Sequence, residues 1–311
     1  MDTRHAVGLD IGGTHLRATI GNGNGELREF VSEKTDSRNI ERQIYRMLDG
    51  YSDFDCIGIG SVGPLDSARG VITNPPNIKI RNLRIVELLE KKYGVRSRLL
   101  NDCVAGVYGE RSFGAGKGMD NIVYVTMSTG VGSGVIENGR LMLGKDGNGH
   151  EVGHCQVDAD IRLECRCGSF GRHWEAYSAG INMPNFVKHM LDTKYKGRKS
   201  RLRDIKNMAP KDFFEAAPGD DVGEQILEDF GRINASGIAN VVNAYDPELI
   251  TIGGSVALNN QELVMGPINR YLKDYSINRV PKVMITPLKK DIILAGAVAY
   301  ILDITKDDGQ A

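Results

Sequence analysis

A carboxylate, two glycines and a threonine occur together near the start of the chain, in the segment Asp10-Ile-Gly-Gly-Thr14. The apolar run before Asp10 predicts a strand, and the glycines permit a sharp turn after it. Backbone N–H groups in such a turn can converge on phosphate oxygens, and the Thr14 hydroxyl adds a donor. Asp10 is suited to Mg²⁺, which takes one or two carboxylates together with phosphates. The alternative is a plain hairpin turn without a ligand.

A second glycine-rich turn, Ser128-Thr-Gly-Val-Gly-Ser-Gly134, repeats this pattern. Setting Asp10 against Thr126 also aligns Asn22-Gly with Asn138-Gly, and each pair is a hairpin signal. The repeat predicts two related halves, each with a turn that can clamp phosphates. The alternative is that these glycines only allow another backbone to approach closely.

A third turn, Ile252-Gly-Gly-Ser255, follows a strand-like run and precedes a helix-like one. A helix N-terminus behind glycines is suited to a nucleotide's phosphates, or lets a base lie against the backbone. The alternative is a close strand–helix connection with no ligand.

The pair Asn101-Asp102 follows a strand-like segment and precedes a helix. Both residue types are preferred helix N-caps, which is the simplest interpretation. The functional interpretation is a general base, because a hydroxyl nucleophile needs an acceptor for its proton and an Asp can supply one. The two interpretations are compatible if Asn101 caps the helix and Asp102 serves as the base.

Histidines, cysteines and carboxylates are densest between Glu151 and Glu175. His154, Cys165, Cys167 and His173 fit a tetrahedral structural Zn²⁺ site, although Cys-X-Cys is tighter than the usual spacing. Cys155 is a competing ligand, and unrelated reduced thiols are the alternative. Bound zinc would fix the loop that carries Glu151 and Glu175. The carboxylates of these two residues can accept hydrogen bonds from sugar hydroxyls. Trp174, the sole tryptophan, is expected to pack beneath this loop rather than stack on a sugar.

The rest of the chain alternates between strand-like and helix-like runs, which predicts α/β layers around mixed sheets. The predicted strands are Cys56–Val62, Ser97–Leu100, Leu249–Ile252 and Lys282–Thr286. The predicted helices are Arg38–Asp49, Asn82–Lys92, Ala105–Ser112, Glu224–Val242, Gln261–Tyr275 and Ile292–Thr305. We expect the last helix to pack back on the first half. The predicted domains are therefore 1–115 with 292–311, and 116–291.

The composition excludes several classes of protein. The net charge is -1 at pH 7, which gives no footprint for nucleic acid or a membrane surface. The basic residues between Lys194 and Lys206 are expected to be a solvated loop and helix start rather than a polyanion site. The N-terminal segment is unlike a signal peptide, and the longest apolar run, Ile292–Leu302, is too short to span a membrane. We therefore expect a cytoplasmic protein whose five cysteines form no disulfide framework.

Seven segments in order resemble the ROK sugar kinases, over residues 6 to 300 or so. They are DIGGT, GPLD with a following PPN, ND, STGVGSG, EVGH, CRCG with HWEAY, and ITIGGS. The resemblance implies an actin-like (ribonuclease H-like) two-domain ATPase fold, with duplicated mixed sheets flanked by helices and a cleft for sugar and ATP. It implies that Asp102 is the catalytic base, and that Mg²⁺ and a structural Zn²⁺ take part.

The resemblance also assigns ligands to individual residues. The implied sugar-binding residues are Asn77, Asn101, Asp102, Glu151, His154 and Glu175. The implied ATP-binding residues are Asp10, Gly12, Gly13 and Thr14, then Thr129, Gly130 and Gly132, then Gly253, Gly254 and Ser255. The implied zinc ligands are His154, Cys165, Cys167 and His173, while Asp10 serves Mg²⁺. The family's habit suggests a homodimer or homotetramer.

The sequence departs from the family pattern at three places, and the last of them leaves the exact sugar open. His15 replaces the usual Lys after the first phosphate turn, and His173 stands where the last zinc cysteine usually falls, one residue late. The PPN loop continues as IKIRN rather than in the manner of many glucokinases. We expect transfer to the 6-hydroxyl of a hexose, with an N-acetylmannosamine or N-acetylglucosamine kinase as the alternative.

Three other classes of protein compete with the kinase. An actin- or chaperone-like ATPase would leave the sugar-loop carboxylates and the His/Cys residues between Glu151 and Glu175 unexplained. The ROK repressors carry a helix-turn-helix domain before the first turn, and the nine residues before Asp10 are too few for one. A non-catalytic sugar sensor is disfavoured, because Asp102 and both phosphate turns are intact.

Overall fold

The computed structural model describes residues 3–75, 78–145, 147–158, 160–165, 167–168 and 172–307, with the side chains of 306 and 307 left out. Asn77 lies outside the described residues. Backbone contacts divide the chain into two compact units. Unit 1 comprises Met1–Tyr124, Gly134–His150 and Thr286–Ala311, and unit 2 comprises Val125–Ser133 and Glu151–Ile285. The domain boundaries expected from the sequence differ from these units at 116–124, 134–150 and 286–291.

Strands and helices alternate along the chain, as the sequence predicts. The strands are β1 His5–Ile11, β2 His15–Asn22, β3 Leu27–Lys34, β4 Cys56–Ser61, β5 Leu65–Asp66, β6 Val71–Ile72, β7 Arg96–Asn101, β8 Ile122–Met127, β9 Val131–Glu137, β10 Arg140–Leu141, β11 Leu249–Gly253 and β12 Lys282–Ile285. The helices are α1 Ile40–Leu48, α2 Ile85–Tyr93, α3 Asp102–Phe113, α4 Trp174–Ser178, α5 Met183–Asp192, α6 Pro210–Ala216, α7 Asp221–Tyr245, α8 Ser255–Asn259, α9 Gln261–Tyr275 and α10 Ile292–Asp307.

Two five-stranded sheets share one plan. The first has the order β3-β2-β1-β4-β7, and the second the order β10-β9-β8-β11-β12. In each, three strands that follow one another along the chain are extended by two later strands. In the first sheet β1 pairs antiparallel with β2 but parallel with β4, so the sheet is mixed. This repetition of plan agrees with the duplicated hairpins seen in the sequence.

Helix α10 packs against the first sheet and α3 at backbone distance. Its buried residues Val298, Ile301 and Leu302 form a cluster with Ala6 and Cys56. Glycines permit the close approach, because a Cβ added at Gly58 would overlap the carbonyl oxygen of Ala297, and one at Gly296 would overlap that of Ala105. Helix α10 therefore belongs to unit 1, where it covers part of the first sheet.

Gly296→Ala is expected to lower the free energy of unfolding by about 2–3 kcal/mol, because the added methyl group forces α10 away from α3. The matched control is Gly50→Ala, where the nearest atom to the added Cβ is 3.5 Å away. That control should change stability by less than about 0.5 kcal/mol. Urea unfolding of both variants measures the difference, and equal midpoints would contradict the packing argument.

Trp174 lies in the core of unit 2, directly after His173 in the chain. Its side chain is fully buried, and its indole N–H donates to Oδ1 of Asn234 on α7 at 2.7 Å. Gly237, one turn further along α7, leaves space for the ring, since a Cβ there would overlap it. Trp174 is therefore a packing residue, as the sequence analysis predicts.

Candidate functional site

The first glycine turn joins β1 to β2 and is tightly closed. The Gly12 N–H donates to the His15 carbonyl at 3.1 Å, and a Cβ on Gly12 would lie 2.8 Å from the same oxygen. Thr35 holds the turn from outside, because its hydroxyl donates to the Gly12 carbonyl and its N–H to that of Thr14. Thr14 is exposed, so its hydroxyl is accessible to a ligand.

Asp10 is buried in this hairpin and is paired with Arg17. The β1–β2 register places the two residues opposite each other, and Nε and Nη2 of Arg17 both donate to Oδ2 of Asp10, at 3.0 and 2.5 Å. Arg17 also donates to the Lys290 carbonyl, just before α10. Burial raises the pKa of the Asp10 carboxyl, and the neighbouring guanidinium opposes that rise. Arg17 therefore compensates a carboxylate that was predicted to serve Mg²⁺.

Arg17→Met is expected to lower the free energy of unfolding by about 2 kcal/mol, because it leaves the Asp10 carboxyl buried without its cation. Arg28→Met, on the neighbouring strand, is the matched control, because that side chain is 61% exposed beside Glu29. Loss of this surface pair should cost less than about 0.5 kcal/mol. Thermal unfolding of both variants at pH 7 tests the difference, and an equally mild Arg17 variant would contradict it.

Asn101 and Asp102 lie where β7 gives way to α3. Asn101 is the N-cap, and its Oδ1 accepts the Cys103 N–H at 2.9 Å, as predicted. Oδ1 of Asp102 accepts the same N–H at 2.8 Å, so Asp102 contributes to the cap as well. A carboxylate in the first turn of a helix is stabilised by the helix dipole. Asp102 is half-buried and is held there as a hydrogen-bond acceptor.

Asn148 is a polar residue of this region that the sequence analysis missed. Its Oδ1 accepts the Leu65 N–H and its Nδ2 donates to the Leu65 carbonyl, both at 3.1 Å. A Cβ on Gly63 would lie 3.5 Å from Nδ2 of Asn101 and 3.7 Å from Oδ1 of Asn148. Asn148 thus fixes the loop that runs beside the N-cap of α3. The asparagine follows an Asp-Gly pair in an irregular segment, which gives no signal for such a distant contact.

The second and third glycine turns come together within unit 2. The Ser128 N–H donates to the Gly130 carbonyl at 2.9 Å, closing the second turn, and the hydroxyls of Ser128 and Ser255 are 3.2 Å apart. Gly254 has a φ of 84°, and a Cβ there would overlap the Met127 carbonyl oxygen. A glycine is therefore required for both the conformation and the close approach.

Four predicted zinc ligands form one cluster, which we call the Cys/His cluster: His154, Cys165, Cys167 and His173. One donor atom from each lies within 4.8 Å of all the others. Sγ of Cys165 is 3.9 Å from Nδ1 of His154, and Sγ of Cys167 is 3.4 Å from Nδ1 of His173. Tetrahedral zinc with bonds of about 2.0–2.3 Å separates its ligand atoms by about 3.3–3.8 Å, so this donor set fits Zn²⁺. Among the described residues, the competing Cys155 is not part of the group.

Comparison with known proteins places the chain in a family. The sequence model of the ROK family matches residues 6–303. The chain belongs to the ROK family. The glucokinase of Pyrobaculum calidifontis is 36% identical over 294 residues, which cover 94% of this chain and 93% of the relative.

Solved ROK structures share the fold. A ROK glucokinase from Streptomyces griseus, in complex with glucose and AMPPNP, has a TM-score of 0.80 at 29% identity, covering 95% of this chain and 98% of that chain. A ROK hexokinase from Thermus thermophilus has a TM-score of 0.78 at 28% identity, covering 97% and 99%. The predicted family and the predicted actin-like two-domain fold are thereby confirmed.

The ROK motif residues are distributed over both units. Unit 1 holds Asp10, Gly12, Gly13, Thr14, Asn101 and Asp102. Unit 2 holds Thr129, Gly130, Gly132, Glu151, His154, Glu175, Gly253, Gly254, Ser255 and the rest of the Cys/His cluster. Over the residues described, no helix of this ROK protein is both long enough and apolar enough to cross a lipid bilayer.

Proposed function

We propose that this ROK protein transfers the γ-phosphoryl group of MgATP to the 6-hydroxyl of a hexose, with glucose as the preferred acceptor. The predicted class, a phosphotransferase whose acceptor is a hydroxyl group of a sugar, agrees with the glucokinase relative and the two ROK kinase structures. The observation that carries the proposal is Asp102, a half-buried carboxylate held at the N-terminus of α3 beside the N-cap Asn101.

Asp102 is assigned the role of general base. A sugar hydroxyl attacks the γ-phosphorus as its proton passes to the carboxylate, and the bond from phosphorus to the β–γ bridging oxygen breaks. The proton is then bound to Asp102, and the negative charge from the broken bond is on the β-phosphate oxygen of ADP. Because phosphoryl transfer needs mainly positioning and charge neutralisation, the remaining roles belong to the glycine turns.

The two hairpin turns and the Gly253-Gly254-Ser255 segment are assigned to ATP. The turn of Gly12, Gly13 and Thr14 and the turn of Thr129, Gly130 and Gly132 are assigned to phosphate oxygens, for which backbone N–H groups not used within such turns are donors. Asp10 would hold Mg²⁺, which supplies neutralisation of phosphate charge. Asn101, Glu151, His154 and Glu175 are assigned to sugar hydroxyls, together with Asn77.

The Cys/His cluster is assigned to one structural Zn²⁺. Two thiolates and two imidazoles are the ligand types that zinc prefers, and their donor atoms already lie together. Bound zinc would fix the loop that precedes α4, because His154, Cys165 and Cys167 would share one metal ion with His173. Its part is structural, because no open ligand position is needed for the chemistry of transfer.

A coupled ADP-release assay with MgATP tests the proposal against glucose, mannose, fructose, N-acetylglucosamine and N-acetylmannosamine. We expect the highest kcat/KM with glucose, and a product that glucose-6-phosphate dehydrogenase oxidises. A higher kcat/KM with an N-acetylhexosamine would transfer the assignment to the amino-sugar kinases. No turnover with any of the five would contradict the kinase proposal. Cytoplasmic location and a homodimeric or homotetrameric state stay predictions.

A further inference from the structure

Val131, the first residue of β9 and part of the second glycine turn, is contacted from two sides by residues next to the Cys/His cluster. On one side is Gly153, directly before His154, where an added Cβ would overlap the Val131 carbonyl oxygen. On the other side is Glu175, two residues after His173, whose Oε2 accepts the Val131 N–H at 3.0 Å. The N–H and the carbonyl group of Val131 therefore each contact a residue that lies one or two positions from a cluster histidine.

Glu175 also faces the cluster itself. The Cys165 thiol donates to its other oxygen, Oε1, at 3.7 Å. The carboxylate thus has one oxygen on the glycine turn and one beside a cluster cysteine. The fit on the turn is close, because a Cβ on Gly130 would lie 2.7 Å from Oε2.

The backbone after α4 supports the same turn. The Gly180 N–H donates to the Ser128 carbonyl at 2.7 Å and the Ile181 N–H to that of Thr129 at 3.4 Å. Helix α4 is only five residues long and begins directly after His173, so the position of His173 determines the position of Glu175. A shift of His173 would therefore displace the carboxylate that accepts the Val131 N–H.

We propose that Glu175 is a positioning residue that couples the Cys/His cluster to the second glycine turn, so that nucleotide affinity depends on metal occupancy. Metal bound at the cluster would hold His173, and with it the start of α4, so that Glu175 stays in place against the Val131 N–H. The inference rests on the proposed function, because it takes that turn to be a phosphate-binding turn.

Titration calorimetry with Mg²⁺ and the non-hydrolysable analogue AMPPNP, without sugar, tests the coupling. In wild type, removal of the metal with a chelator should raise the Kd about 5-fold or more. The metal-bound Glu175→Ala variant should show a similarly raised Kd. Removing its metal should raise that Kd by less than about 2-fold more, because the substitution and the removal of metal act on the same contact. In this sugar-free measurement Glu175→Gln should keep a Kd for AMPPNP within about 2-fold of wild type, because its amide oxygen can still accept the Val131 N–H. Glu164→Ala, an exposed glutamate beside Cys165, is the matched control and should behave as wild type.

Amide hydrogen exchange at Val131 gives a readout that needs no turnover. Exchange at this N–H should quicken both in stripped wild type and in loaded Glu175→Ala, and it should be unchanged in Glu164→Ala. Equal effects of stripping on Kd in wild type and Glu175→Ala would overturn the coupling, as would a Kd independent of metal. Those results leave the proposed function intact, whereas failure of loaded wild type to bind AMPPNP at all would overturn both.

Discussion

Asp102→Asn is expected to lower kcat by about 1,000-fold, within the range that general-base catalysis contributes. Asparagine has the same shape, and its side-chain oxygen can still accept the Cys103 N–H that Asp102 accepts at 2.8 Å. The fold and sugar binding should therefore persist, while the hydroxyl proton loses its acceptor. Initial rates of ADP release at saturating MgATP and glucose, with sugar binding followed by calorimetry, measure the two effects separately.

The matched control for this prediction is Asp221→Asn. Asp221 is also the first residue of a helix, α7, and is exposed, so the control makes the same change of charge at the same helix position. It should keep the wild-type kcat. An Asp102→Asn enzyme with a rate near wild type would exclude Asp102 as the base.

Cys165→Ser is expected to abolish stoichiometric zinc binding and to cost about 3 kcal/mol or more of unfolding free energy. At about 2.1 cal/mol/K of unfolding entropy per residue, such a loss lowers the Tm of a 311-residue chain by roughly 5 °C. Cys165 is 4% exposed and is the most buried of the four ligands, so its loss leaves three donors around a position that serine fills poorly. Elemental analysis of the purified protein and thermal unfolding measure the two effects.

Cys155→Ser is the matched control, because Cys155 is exposed and lies outside the cluster although it follows His154 directly. It should retain one zinc per chain and the wild-type Tm. Pure wild-type protein without zinc would end the metal assignment. Equal zinc loss in both variants would instead bring Cys155 into the ligand set.

The glycine turns, the N-cap and the cluster could be predicted because each depends on residues close in sequence. Asn-Gly pairs and DIGGT define hairpins locally, and the predicted helix Gln261–Tyr275 has the same bounds in the structure. The Asp10–Arg17 pair was within reach of the same reasoning, since closing the hairpin turn sets Asp10 against Arg17.

Contacts between distant residues could not be predicted in this way. Val131 and Glu175 are 44 residues apart, and no periodic pattern relates a strand to the first turn of a short helix. Helices α5 and α6 were also missed, because an Asn-Met-Pro start and a seven-residue length give weak helical periodicity.

The basic segment illustrates how structure decides between two interpretations of charge. Lys194 is paired with Asp229 at 2.6 Å, and Arg203 donates to the carbonyls of Leu191 and Tyr195. Arg201 donates to the Pro218 carbonyl. Lys194, Arg201 and Arg203 are thus engaged with neighbouring groups of unit 2, as in a segment whose charges serve local structure.

The late position of α10 in the sequence affects the order in which the protein can mature on the ribosome. Domains usually fold from the N-terminus onward during synthesis. Unit 1 supplies the first residues to emerge, yet it lacks the helix that packs against Ala6, Cys56 and Ala105 until all of Glu151–Ile285 has been translated. The apolar face of β1 and β4 that α10 covers is therefore left uncovered while the main segment of unit 2 is made. The nascent chain thus exposes this face for most of its synthesis, and it is the surface that a chaperone would have to shield.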